Sequence, residues 1–256
     1  MLGLTSYQEA LRALGRLAEP ASTLSIVEHA ESGWLELITP RGTRQVDAAE
    51  LEDLVVANVA QRGEGRLAGE VSDLLRSVGQ ALDQLRALDV CLVLSSERLN
   101  IRFADEHARS HELTYAGEEL EALRRAAIAR RNGQPLRRIL ILQASPESAA
   151  PLLELLLAEF AVQALPIRYA RAVALSSELP DLVLAQVSPG TLEALGTLRA
   201  GRHSAHVPVV LLAGEDCDVS ADALFGAGAD DVLQEPVLPA QLRARIRTWL
   251  LRGRAA

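Results

Sequence analysis

The stretch Pro180-Asp-Leu-Val-Leu-Ala-Gln-Val-Ser-Pro-Gly190 limits what this chain can fold into more than any other. An apolar run of strand length, rich in Leu and Val and bounded by Pro and Gly, reads as a strand buried on both faces of a parallel sheet. Residues 139–142, 207–212 and 231–234 repeat that pattern, and each has a helical pattern beside it; Leu152, Leu153, Leu156, Leu157 and Phe160 form the first. Parallel strands need crossovers, which are most often helices. The expected architecture over this half is α/β, a doubly wound parallel sheet.

Ser145-Pro-Glu147 follows the first strand, and Pro180-Asp-Leu-Val-Leu184, Pro189-Gly190 and Pro208-Val-Val-Leu-Leu212 mark the later ones. The most specific stretch is Gly226-Ala-Gly-Ala-Asp-Asp-Val-Leu-Gln-Glu-Pro236, followed by a closing helix over 238–251. By these motifs residues 137–252 resemble a known family, the CheY-like receiver domains of two-component response regulators, and the resemblance implies a doubly wound five-stranded parallel sheet of flavodoxin type. The family's active residues map onto unlike ones here. The acidic pair that holds Mg²⁺ falls on Gln143 and Ala144, and the phosphoacceptor aspartate on Gln186. The hydroxyl that senses the phosphoryl group falls on Ala213, the lysine before the last proline on Glu235, and the switch aromatic on Val232.

Chemistry gives those changes their meaning. Mg²⁺ is a hard cation that wants charged oxygen ligands, which an amide and a methyl group do not provide. An amide cannot form the acyl phosphate that a carboxylate forms, and a carboxylate at 235 repels the charge that a lysine would neutralise. The resemblance therefore implies a pseudo-receiver that cannot be phosphorylated, with no catalytic residue, no metal and no cofactor. Glu215, Asp216 and Glu235 remain as acidic residues at the strands' carboxyl ends, where ligands bind in such sheets.

In the family, the face of the fourth and fifth strands and last helix does the pairing. Here it draws on Leu224, Val237, Leu242, Arg243, Arg245, Ile246, Arg247 and Trp249. The function implied is non-enzymatic: an atypical response regulator acting through a protein partner or as a homodimer. Trp249 and Ile246 have a plainer role open to them, packing the closing helix onto the sheet. The alternative is a transcription regulator whose N-terminal half binds DNA. A third, an enzyme acting on nucleotides, has no glycine-rich phosphate loop, metal cluster or nucleophile to support it.

Charge weighs against nucleic acid. Residues 1–135 hold 15 Arg against 21 Asp plus Glu, and residues 136–256 hold 11 against 13, within a net −8. Phosphate-backbone binding needs the opposite excess. All 26 basic residues are Arg, so lysine-based Schiff-base or P-loop chemistry is excluded. Cys91 lies in an apolar strand and Cys217 in an acidic loop, so neither a disulfide nor a cysteine metal site is expected. No apolar run approaches membrane-spanning length and no signal peptide is visible, so a soluble, cytoplasmic chain is expected.

The first half, 1–133, reads as an α+β domain. A helix over 6–18 capped by Thr5 or Ser6 stops at Pro20, and strands follow at 24–28, 34–38 and 43–46. Asp47-Ala-Ala-Glu50 is a capping box that opens a helix closed by Gly63 and Gly65. The order then repeats through 71–85, 89–94, 99–103, 110–114 and 118–130, with Leu51-Glu-Asp-Leu matching Leu120-Glu-Ala-Leu and Trp34 matching Leu99. This predicts a tandem helix–hairpin–helix duplication, copies about 5–65 and 70–133, paired across a pseudo-twofold. Residues 134–136 form a short linker. His107 and His111 lie in a loop and strand rather than on one helix, and His203, Ser204 and His206 lack an acid partner, so neither group reads as a catalytic or metal site.

Overall fold

Ser6 opens the first helix: its Oγ accepts from the Glu9 N–H, and α1 runs Tyr7–Ala18. In the computed structural model, residues 6–19, 23–29, 31–62 and 69–252 are described, so Thr5, Pro20, Gly63 and Gly65 lie outside them. The chain divides into two units, 1–135 and 136–256.

In the first unit α1 is followed by β1 (Leu24–His29), β2 (Trp34–Thr39), β3 (Gly42–Asp47) and α2 (Ala48–Arg62). The same order returns as α3 (Glu70–Gln84), β4 (Leu88–Leu94), β5 (Arg98–Ala104), β6 (Ser110–Ala116) and α4 (Glu118–Arg131). Each copy is thus a helix, three strands and a helix, and the six strands form one antiparallel sheet ordered β3-β2-β1-β4-β5-β6. The copies join where β1 pairs with β4. Asp47 accepts from the Glu50 N–H at 2.8 Å, as its capping position requires, and Gly133 leaves α4 with φ of 66°.

The two leading helices, α1 and α3, cap each other reciprocally. The Asp83 carboxylate accepts from the Tyr7 and Gln8 N–H groups at 2.7 and 3.0 Å, so the end of α3 caps the start of α1. Reciprocally, Glu19 accepts from the Val71 N–H at 3.0 Å, and the end of α1 caps the start of α3. Those donors have no partner inside their own helix, and a carboxylate there also meets the positive end of the helix dipole. Between the caps the backbones touch. A Cβ on Gly15 would lie 2.8 Å from Ser72 Cα, and one on Gly79 would lie 2.4 Å from the Tyr7 carbonyl oxygen. One constant shift in number carries Gly15 onto Gly79, Gln8 onto Ser72 and Glu19 onto Asp83.

The matching of Trp34 with Leu99 needs correction. Leu35 and Leu37 are buried in β2, as Leu99 and Ile101 are in β5, so Leu35 is the counterpart of Leu99. Strand side chains alternate faces, and a slip of one residue turns the core set outward. Leu24, Ile26, Val46, Val90, Leu92, Leu94, Phe103 and Tyr115 share the buried face.

Buried Asp73 on α3, 3% exposed, is held by Arg131 of α4, whose Nη1 donates at 3.1 Å. Burial raises its carboxyl above the ordinary 3.8, outweighing the lowering by Arg131. A group with a raised folded pKa favours the fold at low pH and loses that contribution as pH rises through the folded value. Asp73→Asn, which stays neutral, should therefore gain stability relative to the native chain on going from pH 3 to pH 7. Urea midpoints at the two pH values check this; a larger relative gain at pH 3 would contradict it.

The second unit contains β7 (Arg138–Gln143), α5 (Pro146–Leu156), β8 (Ala161–Pro166), α6 (Ala170–Leu175), β9 (Leu182–Gln186), α7 (Thr191–Ala200), β10 (Val209–Ala213), α8 (Ala221–Gly226), β11 (Asp231–Gln234) and α9 (Pro239–Arg252). Its sheet is parallel throughout and ordered β8-β7-β9-β10-β11. Alternate strand residues feed two cores. Ile139, Ile141, Leu184 and Leu212 pack with Leu156 of α5 and Ile246 of α9, while Leu140, Val183 and Leu211 pack with α6, α7 and α8. Helices thus cover both faces, which is why the central strands read as continuous apolar runs.

Candidate functional site

The parallel sheet brings four of the residues singled out by the resemblance to one edge. Gln143 ends β7, Gln186 ends β9, Ala213 ends β10 and Glu235 follows β11, all at the carboxyl ends of neighbouring strands. Register fixes them: Leu142 lies level with Ala185, Gln186 with Leu212, and Ala213 with Gln234. In an open α/β sheet this is the edge where ligands bind.

The contacts there are amide and carboxylate contacts. The Gln186 Nε2 donates to Glu235 Oε1 at 3.2 Å, tying the end of β9 to the residue after β11. Gln143 is 7% exposed, and its Oε1 has no hydrogen-bond partner among the described protein groups. Ala144 is exposed, Ala213 buried, and Val232 packs sideways onto the core that α6, α7 and α8 share. Glu215 and Asp216 are solvated. Among the described residues no group of three or more His, Cys, Asp or Glu is placed to hold a metal ion.

One part of the site escapes sequence reading. Thr191 is 2% exposed; its Oγ1 accepts from the Ser188 N–H at 2.9 Å and donates to the Gln186 carbonyl at 3.4 Å. It fixes the loop that carries Gln186 into α7. The available signal was the Ser-Pro-Gly-Thr run, where a hydroxyl at the helix start can close a turn.

The docking face expected on the last strands and helix is only partly surface. Leu224 is 0% exposed, Leu242 3%, Arg243 1% and Ile246 0%, which places all four in the core. The reason is spacing: Leu242, Ile246 and Leu250 recur every fourth residue and form the stripe by which α9 seats on the sheet. Val237, Arg245, Arg247 and Trp249 remain at least partly accessible. Arg247 makes two bonds to Glu159, at 2.8 and 2.9 Å. The Trp249 Nε1 donates to Asp231 at 2.9 Å, Arg245 lies 3.4 Å from the same carboxylate, and the Arg252 guanidinium stands over the Trp249 ring.

Two of the histidines stack on aromatic rings. His29 stacks on Trp34 at 3.9 Å, and His111 stacks on Phe103 at 5.0 Å with its Nε2 3.3 Å from Asp105. Backbone N–H donors from Arg109 and His107, with Arg109 and His111 side chains, hold the Asp105 carboxyl well below the usual range. Ser204 is buried and donates to the Leu198 carbonyl, so it is no nucleophile for His203 or His206, which are exposed.

No protein-family model and no curated protein matches the chain. Solved structures do match over its C-terminal half. A response regulator from Chloroflexus aurantiacus is 26% identical, over 46% of this chain and 99% of that one, with a TM-score of 0.40. The receiver domain of a Pseudomonas aeruginosa sensor histidine kinase, described with magnesium in its active-site cleft, is 20% identical over 44% and 97%, with a TM-score of 0.40. A CheY-like receiver from Methanospirillum hungatei is 23% identical over 47% and 98%, also at 0.40. Among the described residues, no helix is long and apolar enough to cross a membrane. Numbered within its own unit, the parallel sheet has the order 2-1-3-4-5 that flavodoxin and CheY share, and on that order residues 136–252 have the CheY-like receiver fold.

Proposed function

We propose that this chain is an atypical response regulator whose receiver is not phosphorylated and acts by protein–protein contact. The observation that carries the reading is the Gln186 to Glu235 hydrogen bond, which joins an amide at the acceptor position to a carboxylate at the position of the lysine. An amide there cannot take a phosphoryl group, and the adjacent carboxylate opposes both the donor's charge and its development in the transition state. Gln143 and Ala144 bring no negative charge for Mg²⁺.

What remains for such a unit is its shape and its surface. Val237, Arg245 and Trp249, with Arg252 over the indole, form the accessible part of the last strand and helix, and Trp and Arg are common anchors of interfaces. Neither unit carries the positive excess that DNA binding by the N-terminal half would use.

Incubation of the whole chain with a small-molecule phosphodonor and Mg²⁺, read by intact mass, tests the proposal. The mass is expected to stay unchanged. Gain of one phosphoryl group, traced to any residue at the sheet's carboxyl edge, would overturn it.

A further inference from the structure

The antiparallel sheet of the first unit turns one face to its helices and the other to solvent, and the solvent face is unusual in its middle. Wet sheet faces are normally polar. Here the two central strands carry Val27 on β1 and Cys91 and Val93 on β4, and Ile38 on β2 lies across Ser25 from Val93. Val93 is 43% exposed and Ile38 is 38% exposed. Charge sits outside this centre. Along one row across the sheet the register sets Glu36 beside Val27, Val27 beside Cys91, and Cys91 beside Arg102. An apolar centre with a charged rim is the anatomy of a protein interface.

We propose that this face is where a second copy of the chain docks, sheet against sheet. The charge order singles out that occupant. A twofold axis lying in the interface parallel to the strands reverses the row on the facing copy, so Glu36 meets Arg102 at one end and Arg102 meets Glu36 at the other. Between them Val27 meets Cys91 and Cys91 meets Val27. The contact is isologous and closes on a dimer, and facing sheets pack aligned to within about 30°. Within its own copy Arg102 also lies opposite Glu112, and Glu36 lies 3.6 Å from His29.

Sedimentation equilibrium of the full chain over a range of protein and salt concentrations tests the inference. The native chain is expected to dimerise, and Val93→Glu should weaken the dissociation constant by about tenfold or more. Glu36→Arg and Arg102→Glu should each weaken it, and the double swap should restore it. Should Val93→Glu fail to fold, the charge swaps on the exposed rim give the answer by themselves. A native chain that stays monomeric at every concentration, or swaps without effect, would overturn the proposal. A dimer broken by Arg245→Glu on the receiver and indifferent to both swaps would overturn it too, and would place association on the other unit.

Discussion

Gly79→Val is expected to unfold the first unit at markedly lower denaturant while the receiver keeps its own transition. At this point α3 lies against the start of α1, and a Cβ would stand 2.4 Å from the Tyr7 carbonyl oxygen, 2.5 Å from its carbon and 2.6 Å from the Gln8 nitrogen. All three are backbone atoms, so no side chain can swing aside. The helices must separate, and separation stretches the bonds from Tyr7 N and Gln8 N to Asp83. Overpacking alone costs about 1–3 kcal/mol, and losing a helix cap adds about 1 kcal/mol. A total near 3 kcal/mol is a large share of an ordinary domain's stability.

The two tryptophans make the measurement clean, because Trp34 lies in the first unit and Trp249 in the second. In a Trp249→Phe background, Trp34 fluorescence should report a midpoint lowered by the equivalent of about 3 kcal/mol. Gly15→Val should act in the same direction, since Gly15 occupies the matching place against Ser72. An unchanged midpoint for both would mean that the close crossing of α1 and α3 contributes nothing.

That crossing also shows how the sequence conceals part of a fold. The receiver half is legible because strands buried on both faces are long apolar runs punctuated by Pro and Gly, and because strand ends then fix Gln143, Gln186, Ala213 and Glu235 at one edge. β8 is harder to see: it is an edge strand with no fully buried residue, and its half-buried Val162 and Ala164 pack on one core while Leu165 packs on the other. The duplication shows through helix patterns, yet its register does not, since Trp34 and Leu35 are both large and apolar and only burial separates them. Gly15 and Gly79 carry no sequence signal of their role, because a glycine inside a helix ordinarily only weakens it; their close approach to backbone atoms exists only once the second helix is beside them. The docking face was overdrawn for the opposite reason. Leu242 and Ile246 are four apart, a spacing that already marks a core stripe, while the partners Glu159 and Asp231 of the neighbouring arginines depend on tertiary placement.

Arg247→Met is expected to destabilise the receiver by about 3 kcal/mol. Glu159, 7% exposed, lies just beyond α5, and both its oxygens are taken by Arg247 of α9. Removing the guanidinium leaves a buried carboxylate without its counter-charge, which costs more than the pair itself contributes, because desolvation of Glu159 remains. The Arg247 side chain is 20% exposed, so water offsets part of the loss and keeps the effect toward the lower end of the range for buried pairs. Trp249 fluorescence in a Trp34→Phe background reads the midpoint directly. The double variant Glu159→Leu with Arg247→Met should recover most of the stability, since two apolar side chains of similar size replace a pair that was costly to bury. If the single variant were as stable as the native receiver, the ion pair would not be what holds the end of α5 to α9. The accessible face carrying Arg245 and Trp249 would then owe its position to the apolar stripe of Leu242, Ile246 and Leu250 alone.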